Sequence, residues 1–254
     1  MKLLLARLAL LSGLLLAWQV LSARGLISSF FFGEPLKVAA VLVEWFGSGM
    51  IFRHLGVTLL ETALAFVSGT LLGVGSGLAL GLSPRLAALL DPFIKAVNAM
   101  PRVVLAPIFA TWFGLGIASK VALGVTLVFF VVFFNVYQGV KDVNPLLIAN
   151  ARMLGASPRQ LIRHVYWPSA TSWVFSSLHT AVGMAFVGAV VGEYLGSAQG
   201  VGYLILQAEG SFDINSVFAG IAILTVCALA LDALVSQAER RLLTWRPGPA
   251  RDAS

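Results

Sequence analysis

Residues 149–168 read ANARMLGASPRQLIRHVYWP. The stretch holds Arg152, Arg159, Arg163 and His164, with Asn150, Ser157 and Gln160, and no carboxylate. Long apolar runs lie on either side. Hydrocarbon offers no water to satisfy polar groups, so an insert of this character cannot lie in the bilayer core. Its arginines assign it to the cytoplasmic face, where Lys and Arg accumulate. Locally, 149–154 reads as helix, Gly155 as a break, and Ser157-Pro158 as a restart, with Ser as N-cap and Pro at the first helical position. Two short helical pieces around a glycine make a shaped element, and we read it as a docking site for another protein. The plainer reading is an ordinary amphipathic loop.

Outward from this stretch the chain is apolar. It has 254 residues, 59% hydrophobic and 11% charged, against about 25% charged in soluble domains. That makes it a membrane protein. The net charge of +6 does not form the single stripe a nucleic-acid surface needs. The basic residues sit in short segments between apolar runs. One cysteine, Cys227, excludes a disulfide framework within the chain. His54, His164 and His179 have no close ligand spacing, so no metal site is expected.

Six spans are expected. The first covers 8–21, after Lys2 and Arg7. A cleaved signal peptide would put Leu21 at the −3 position, a poor fit, so an uncleaved span with a cytoplasmic N-terminus is expected. Residues 36–46 fit a short amphipathic helix at an interface. The second span covers 55–82 and carries Gly69, Gly73 and Gly77 as overlapping GxxxG pairs, which allow close helix packing. The third, 86–113, is irregular: it holds Asp91, Lys95, Asn98, Arg102 and prolines 92, 101 and 107. Its apolar half alone is too short to cross about 30 Å of hydrocarbon. Spans four to six cover 118–140, 169–191 and 216–235. The 193–215 segment, with Glu193, Glu209 and Asp213 and no Lys or Arg, falls outside. The C-terminus falls in the cytoplasm.

The glycine-to-proline spacing resembles the cytoplasmic EAA loop of ABC importer permeases. Gly155 and Pro168 fall at the family's Gly and Pro positions, Val165 and Trp167 at its Ile and Leu, and Ala151 at its second Ala. Ala149 stands where the family has Glu, and Asn150 where it has the first Ala. The segments NAMPRVVLAPIFATWFGLG (98–116), GVGYLI (200–205) and ERRLLTWR (239–246) are similar to permeases of the taurine, sulfonate and nitrate group. The resemblance spans about 52–246. It implies an all-α, type I ABC importer permease with a coupling helix between spans four and five. It also implies a homodimer in the bacterial cytoplasmic (inner) membrane, two cytoplasmic ATPase subunits and an extracytoplasmic binding protein. The solute would be small and anionic. The chain has no GxxxxGK[ST] loop, so it is not expected to be an enzyme; ATP and Mg would be held by the partner ATPase.

The expected division is 1–54 as an N-terminal span with an amphipathic segment, 55–246 as the permease domain and 247–254 as a tail. Expected coupling residues are Ala151, Arg152, Gly155, Ala156, Ser157, Pro158, Arg159, Gln160 and Pro168. Charged or polar groups inside spans are costly and point to a partner or a pathway. The pathway or gate candidates are therefore Glu61, Lys95, Arg102, Asn135 and Glu193. For Arg102 and Lys95 the competing reading is snorkelling to headgroups. An ion-coupled secondary carrier is the alternative function, but it calls for internal repeats, and no convincing repeat is visible. A lipid-modifying enzyme would need an Asp, His or Ser cluster at a membrane face, and the sequence offers none.

Overall fold

The structure is a computed structural model that describes residues 2–242. The expected tail at 247–254, and Arg246 before it, lie outside the described residues. Helices account for nearly all of the described chain, with no strand among those residues. In order they are α1 (Lys2–Ala23), α2 (Ser29–Phe32), α3 (Pro35–Gly47), α4 (Met50–Gly81), α5 (Pro84–Ala99), α6 (Ala106–Phe113), α7 (Ile117–Lys141), α8 (Pro145–Met153), α9 (Pro158–Leu161), α10 (Trp167–Leu195), α11 (Val201–Gly210) and α12 (Ile214–Leu242).

Five helical stretches are long and apolar enough to cross a membrane: Leu5–Ala23, Met50–Gly81, Ile117–Lys141, Pro158–Leu195 and Ile214–Glu239. The expected third span is broken. Pro84–Ala99 and Arg102–Phe113 meet at 82°. Met100 and Pro101 separate them, and Pro101 cannot supply the N–H that a continuous helix would need there. The amphipathic helix is α3, which buries only Val38.

α4, α7 and α10 form the core. Their contact follows a stripe of small residues against branched ones. A methyl group placed on Gly69 would sit 2.7 Å from Val128 Cβ, on Gly73 2.8 Å from Val132 Cβ, on Gly77 2.9 Å from Val136 Cβ and on Gly81 2.7 Å from Val140 Cβ. Each glycine is four residues from the next, one helical turn, so one face of α4 receives one ridge of α7. The expected GxxxG pairs therefore serve packing within the chain. On the other side of α7, a methyl on Gly188 of α10 would lie 2.5 Å from Gly124 Cα.

Three boundaries differ from the sequence reading. α4 starts at Met50 rather than 55, because the break is Gly49, with φ of 74°, and nothing in 50–54 interrupts a helix. The 193–215 segment is not all loop, since it contains α11. Pro168 does not separate the docking stretch from span five. One π-helical turn, Ile162–Tyr166, joins α9 to α10. The wider turn changes the bonding register just ahead of Pro168, and helices accommodate prolines by such local adjustments. A single helical run therefore extends from Pro158 to Leu195.

Candidate functional site

Two regions hold the polar side chains that the fold positions with care. The first is the segment between α7 and α10. Asn144 caps α8, its side chain accepting the Leu146 N–H at 2.9 Å. α8 ends in a Schellman motif: the Gly155 N–H reaches Arg152 O at 2.9 Å and the Ala156 N–H reaches Ala151 O at 3.0 Å. That geometry needs a left-handed residue, and Gly155 supplies it with φ of 81°. α9 opens on a capping box. The Gln160 N–H donates to Ser157 Oγ at 3.3 Å, and the Ser157 N–H donates to Gln160 Oε1 at 2.7 Å. Pro158 is the first residue of α9 and Pro168 the second of α10.

Of the expected coupling residues, Arg152, Gly155, Ser157, Pro158, Arg159, Gln160 and Pro168 are exposed, and Ala151 and Ala156 are half-buried. The surface also presents Met153 and Leu154, 86% and 88% exposed. Two large apolar side chains at the tip of a basic loop are docking groups that the spacing argument missed. The signal was present, as an apolar pair immediately before the helix-ending glycine.

The second region lies at the other end of the spans, where α4, α7, α10 and α11 meet. Glu61 and Lys120 are each 1% exposed, and Glu193 is fully buried. Glu193 accepts the Thr58 hydroxyl at 2.6 Å and the Gly202 N–H at 2.8 Å. The Val201 N–H donates to Thr58 Oγ1 at 3.0 Å, and the Gly200 N–H to His54 Nδ1 at 3.1 Å. The first amides of α11, which no helix can satisfy internally, are thus held by side chains of α4 and α10. The two glycines follow from this. A Cβ at Gly200 would strike the Glu193 carboxylate, and one at Gly202 would meet Val190 O at 2.6 Å. The Glu61 and Glu193 carboxyls lie within hydrogen-bonding reach of each other. Lys120 Nζ donates to Leu115 O.

The structure thus brings together Glu61 and Glu193 from the expected pathway set and leaves the others apart. Lys95 pairs with Asp91 at 2.6 Å on an exposed face of α5. The Arg102 guanidinium lies 4.4 Å from the centre of the Phe130 ring and donates to Asn98. Asn135 donates to Val131 O within its own helix at 2.8 Å. Lys120, Thr58 and His54 escaped the sequence reading. Lys120 had a visible signal, a lone cation inside an apolar run. Elsewhere, His179 bridges α10 to α12, with Nδ1 3.0 Å from Asp232 Oδ1 and Nε2 2.9 Å from Glu239 Oε2. Asp232, which had no role in the sequence reading, thereby acquires a partner.

Comparison with known proteins places this arrangement. The family model described as "Binding-protein-dependent transport system inner membrane component" matches residues 69–244. The chain is 34% identical over 229 residues to an aliphatic sulfonates transport permease protein of Bacillus subtilis, covering 90% of this chain and 83% of that one. It is 30% identical over 240 residues to the taurine transport system permease protein of Escherichia coli, covering 92% and 87%. It is 32% identical over 233 residues to a formylaminopyrimidine transport permease protein of Halalkalibacterium halodurans, covering 92% of each. Among solved structures, a chain of the MetNI methionine ABC transporter in an inward-facing conformation superposes with a TM-score of 0.65 at 16% identity, covering 76% of this chain and 95% of that one. A chain of an amino acid ABC transporter gives 0.60 at 22% identity, covering 74% and 92%.

Proposed function

The chain belongs to the family of binding-protein-dependent transport system inner membrane components, and from that premise we propose how it works: two copies line the pathway of an importer, two ATPase subunits dock on segment 144–168, and a binding protein delivers solute to the opposite face. The chain itself is a multi-pass permease subunit of the ABC importer type. In the proposed assembly it lies in the bacterial inner membrane with both termini cytoplasmic, and ATP and Mg belong to the partner ATPase. The ion-coupled alternative loses its ground, because both the family and the fold are those of importer permeases.

The observation that carries this reading is the build of the 144–168 segment. It is exposed, yet side-chain caps and a Schellman motif hold each of its turns. A loop that only linked two spans would need none of these. A rigid loop can transmit displacement, and this one continues without a break into the helix that ends beside Glu193. ATP-driven closure of the ATPase pair would move α9 and tilt the attached span, switching the pathway between faces.

The solute class is drawn from the relatives: sulfonates, taurine, nitrate or similar small anions. The proposed coupling set is the exposed arginines, Arg152 and Arg159, with Met153 and Leu154 as apolar contacts. Arg159→Glu reverses a charge on the docking face without touching the capping box. It is expected to lower the amount of ATPase co-purifying with the permease by about tenfold, the effect of losing one well-placed interfacial charge contact. Undiminished co-purification and uptake would remove α9 from the docking surface. Orientation is tested by Ser197→Cys in intact cells. A membrane-impermeant thiol reagent is expected to label it from outside, and labelling only in inverted vesicles would overturn the topology.

A further inference from the structure

The outer cluster contains more acceptor than donor. Glu193 has both oxygens engaged, by the Thr58 hydroxyl and the Gly202 N–H. The Lys120 ammonium donates to Leu115 O, and among the described residues no ion pair within 4.0 Å joins it to either carboxylate. Glu61 is 1% exposed, and its Oε2 has no hydrogen-bond partner. An unfilled carboxylate oxygen in a buried setting is costly to keep, by about 1–3 kcal/mol or more for a charged group. It calls for an occupant.

Glu61 borders a place for one. A cleft of about 410 Å³ opens beside it, walled by α4 at Val57, the turn at Leu115 and Gly116, and the loop at Ser197 and Gln199. No Lys, Arg or His lines it. A divalent cation requires six or more oxygen ligands or an ordered shell of water, and the walls supply a single carboxylate. A primary ammonium requires far less, since three N–H donors can be met by one carboxylate oxygen and neighbouring carbonyl or hydroxyl groups.

We infer that this cleft is a binding site for a primary ammonium group, carried by the transported solute or by a lysine of the docked binding protein. The inference rests on the importer reading, which puts the cleft on the extracytoplasmic side. It adds a requirement to the solute class: a purely anionic solute leaves Glu61 unmatched, whereas an amine-bearing one has a partner in the permease itself. Lys95 and Arg102 do not contribute, because both lie outside the cleft.

The test uses the permease reconstituted with its ATPase, carrying Ser197→Cys in a Cys227→Ser background. The 2-aminoethyl and 2-sulfonatoethyl methanethiosulfonates are compared at Cys-substituted position 197, with each rate normalised to that of a free thiol. The two reagents feel the local potential with opposite sign, so their ratio doubles its effect. The cationic reagent is expected to be favoured by about tenfold or more, as a cleft with one uncompensated carboxylate focuses cations. Glu61→Gln should bring the ratio close to one, and Glu61→Asp should retain most of the preference. Should Glu61→Gln fail to fold, Gln199→Lys, which places an ammonium in the cleft, should abolish the preference in its stead. A ratio near one in the parent, or a ratio indifferent to these changes, overturns the proposal. Ethylammonium chloride should slow the labelling; equal slowing by sodium chloride would assign the cleft to a metal ion and overturn it too.

The two sources separate when the binding protein is added. Protection without solute identifies a side chain of the binding protein, protection only with solute identifies the solute, and no protection in either case overturns the inference. Failure of the importer reading would register differently, as loss of the ATPase from the preparation or labelling from the cytoplasmic side alone.

Discussion

Gly155→Pro is expected to reduce ATP-driven uptake to the level of membranes that lack the transporter, while leaving the permease inserted. Position 155 has φ of 81°, and a proline ring holds φ near −65°. The substitution also deletes the N–H that bonds to Arg152 O. Nothing local can absorb both effects, so α8 must end elsewhere and the angle between α8 and α9 is lost. Met153 and Leu154 would then point away from the surface they dock on. The spans need not change, because the segment stands outside the core built by α4, α7 and α10. The checks are uptake in proteoliposomes and the yield of ATPase in pull-down. Wild-type uptake with the ATPase still bound would show that the left-handed turn has no part in coupling.

Gly73→Leu is expected to prevent recovery of a folded, monodisperse permease in detergent. At Gly73 even a methyl group would lie 2.8 Å from Val132 Cβ and 2.9 Å from Phe129 O. The obstacle includes backbone, so a rotamer change cannot relieve it. Overpacking of this kind costs about 1–3 kcal/mol for modest insertions, and an isobutyl group exceeds a modest insertion. A marginal fold holds only about 5–15 kcal/mol in reserve. Gly75 is the control. It lies on the same helix, two residues on, with nothing within 4 Å of an added Cβ. Gly75→Leu should therefore elute and melt much as the parent does. Equal tolerance of both substitutions would mean that α4 and α7 do not pack along this stripe.

The parts legible in the sequence are those that local chemistry determines. Apolar runs of span length announce themselves by composition. The capping box needs only Ser157 and Gln160, three residues apart, and the Schellman turn only Gly155 and its neighbours, so the docking segment could be drawn almost residue by residue. The outer cluster was half visible. Glu61 and Glu193 stood out as charges in apolar surroundings, but nothing in the order of residues says that they meet. Their pairing depends on how α4 and α10 cross. Lys120 was passed over because Ile117–Lys141 is among the most apolar runs in the chain, and its average masks one cation near its start. Met153 and Leu154 were overlooked for a related reason: apolar residues in a membrane protein draw no notice until their exposure is known. Pro168 misled in the opposite direction. Proline commonly marks a helix end, and the π-helical turn that let it sit inside one leaves no clear mark in composition.

That turn also sets an angle. An α-helix rotates by about 100° with each residue it adds. Replacing one α-helical turn by the five-residue π turn Ile162–Tyr166 delays that rotation once, at a fixed place, and every residue beyond inherits the offset. The 38 residues from Pro158 to Leu195 form a shaft about 57 Å long at 1.5 Å per residue, with the docking helix keyed to one end and Glu193 to the other. The compass bearing of the outer carboxylate relative to the docking face is thus stored in a single keyed joint just inside the membrane. A change of angle there would turn the far end of the shaft without moving its axis.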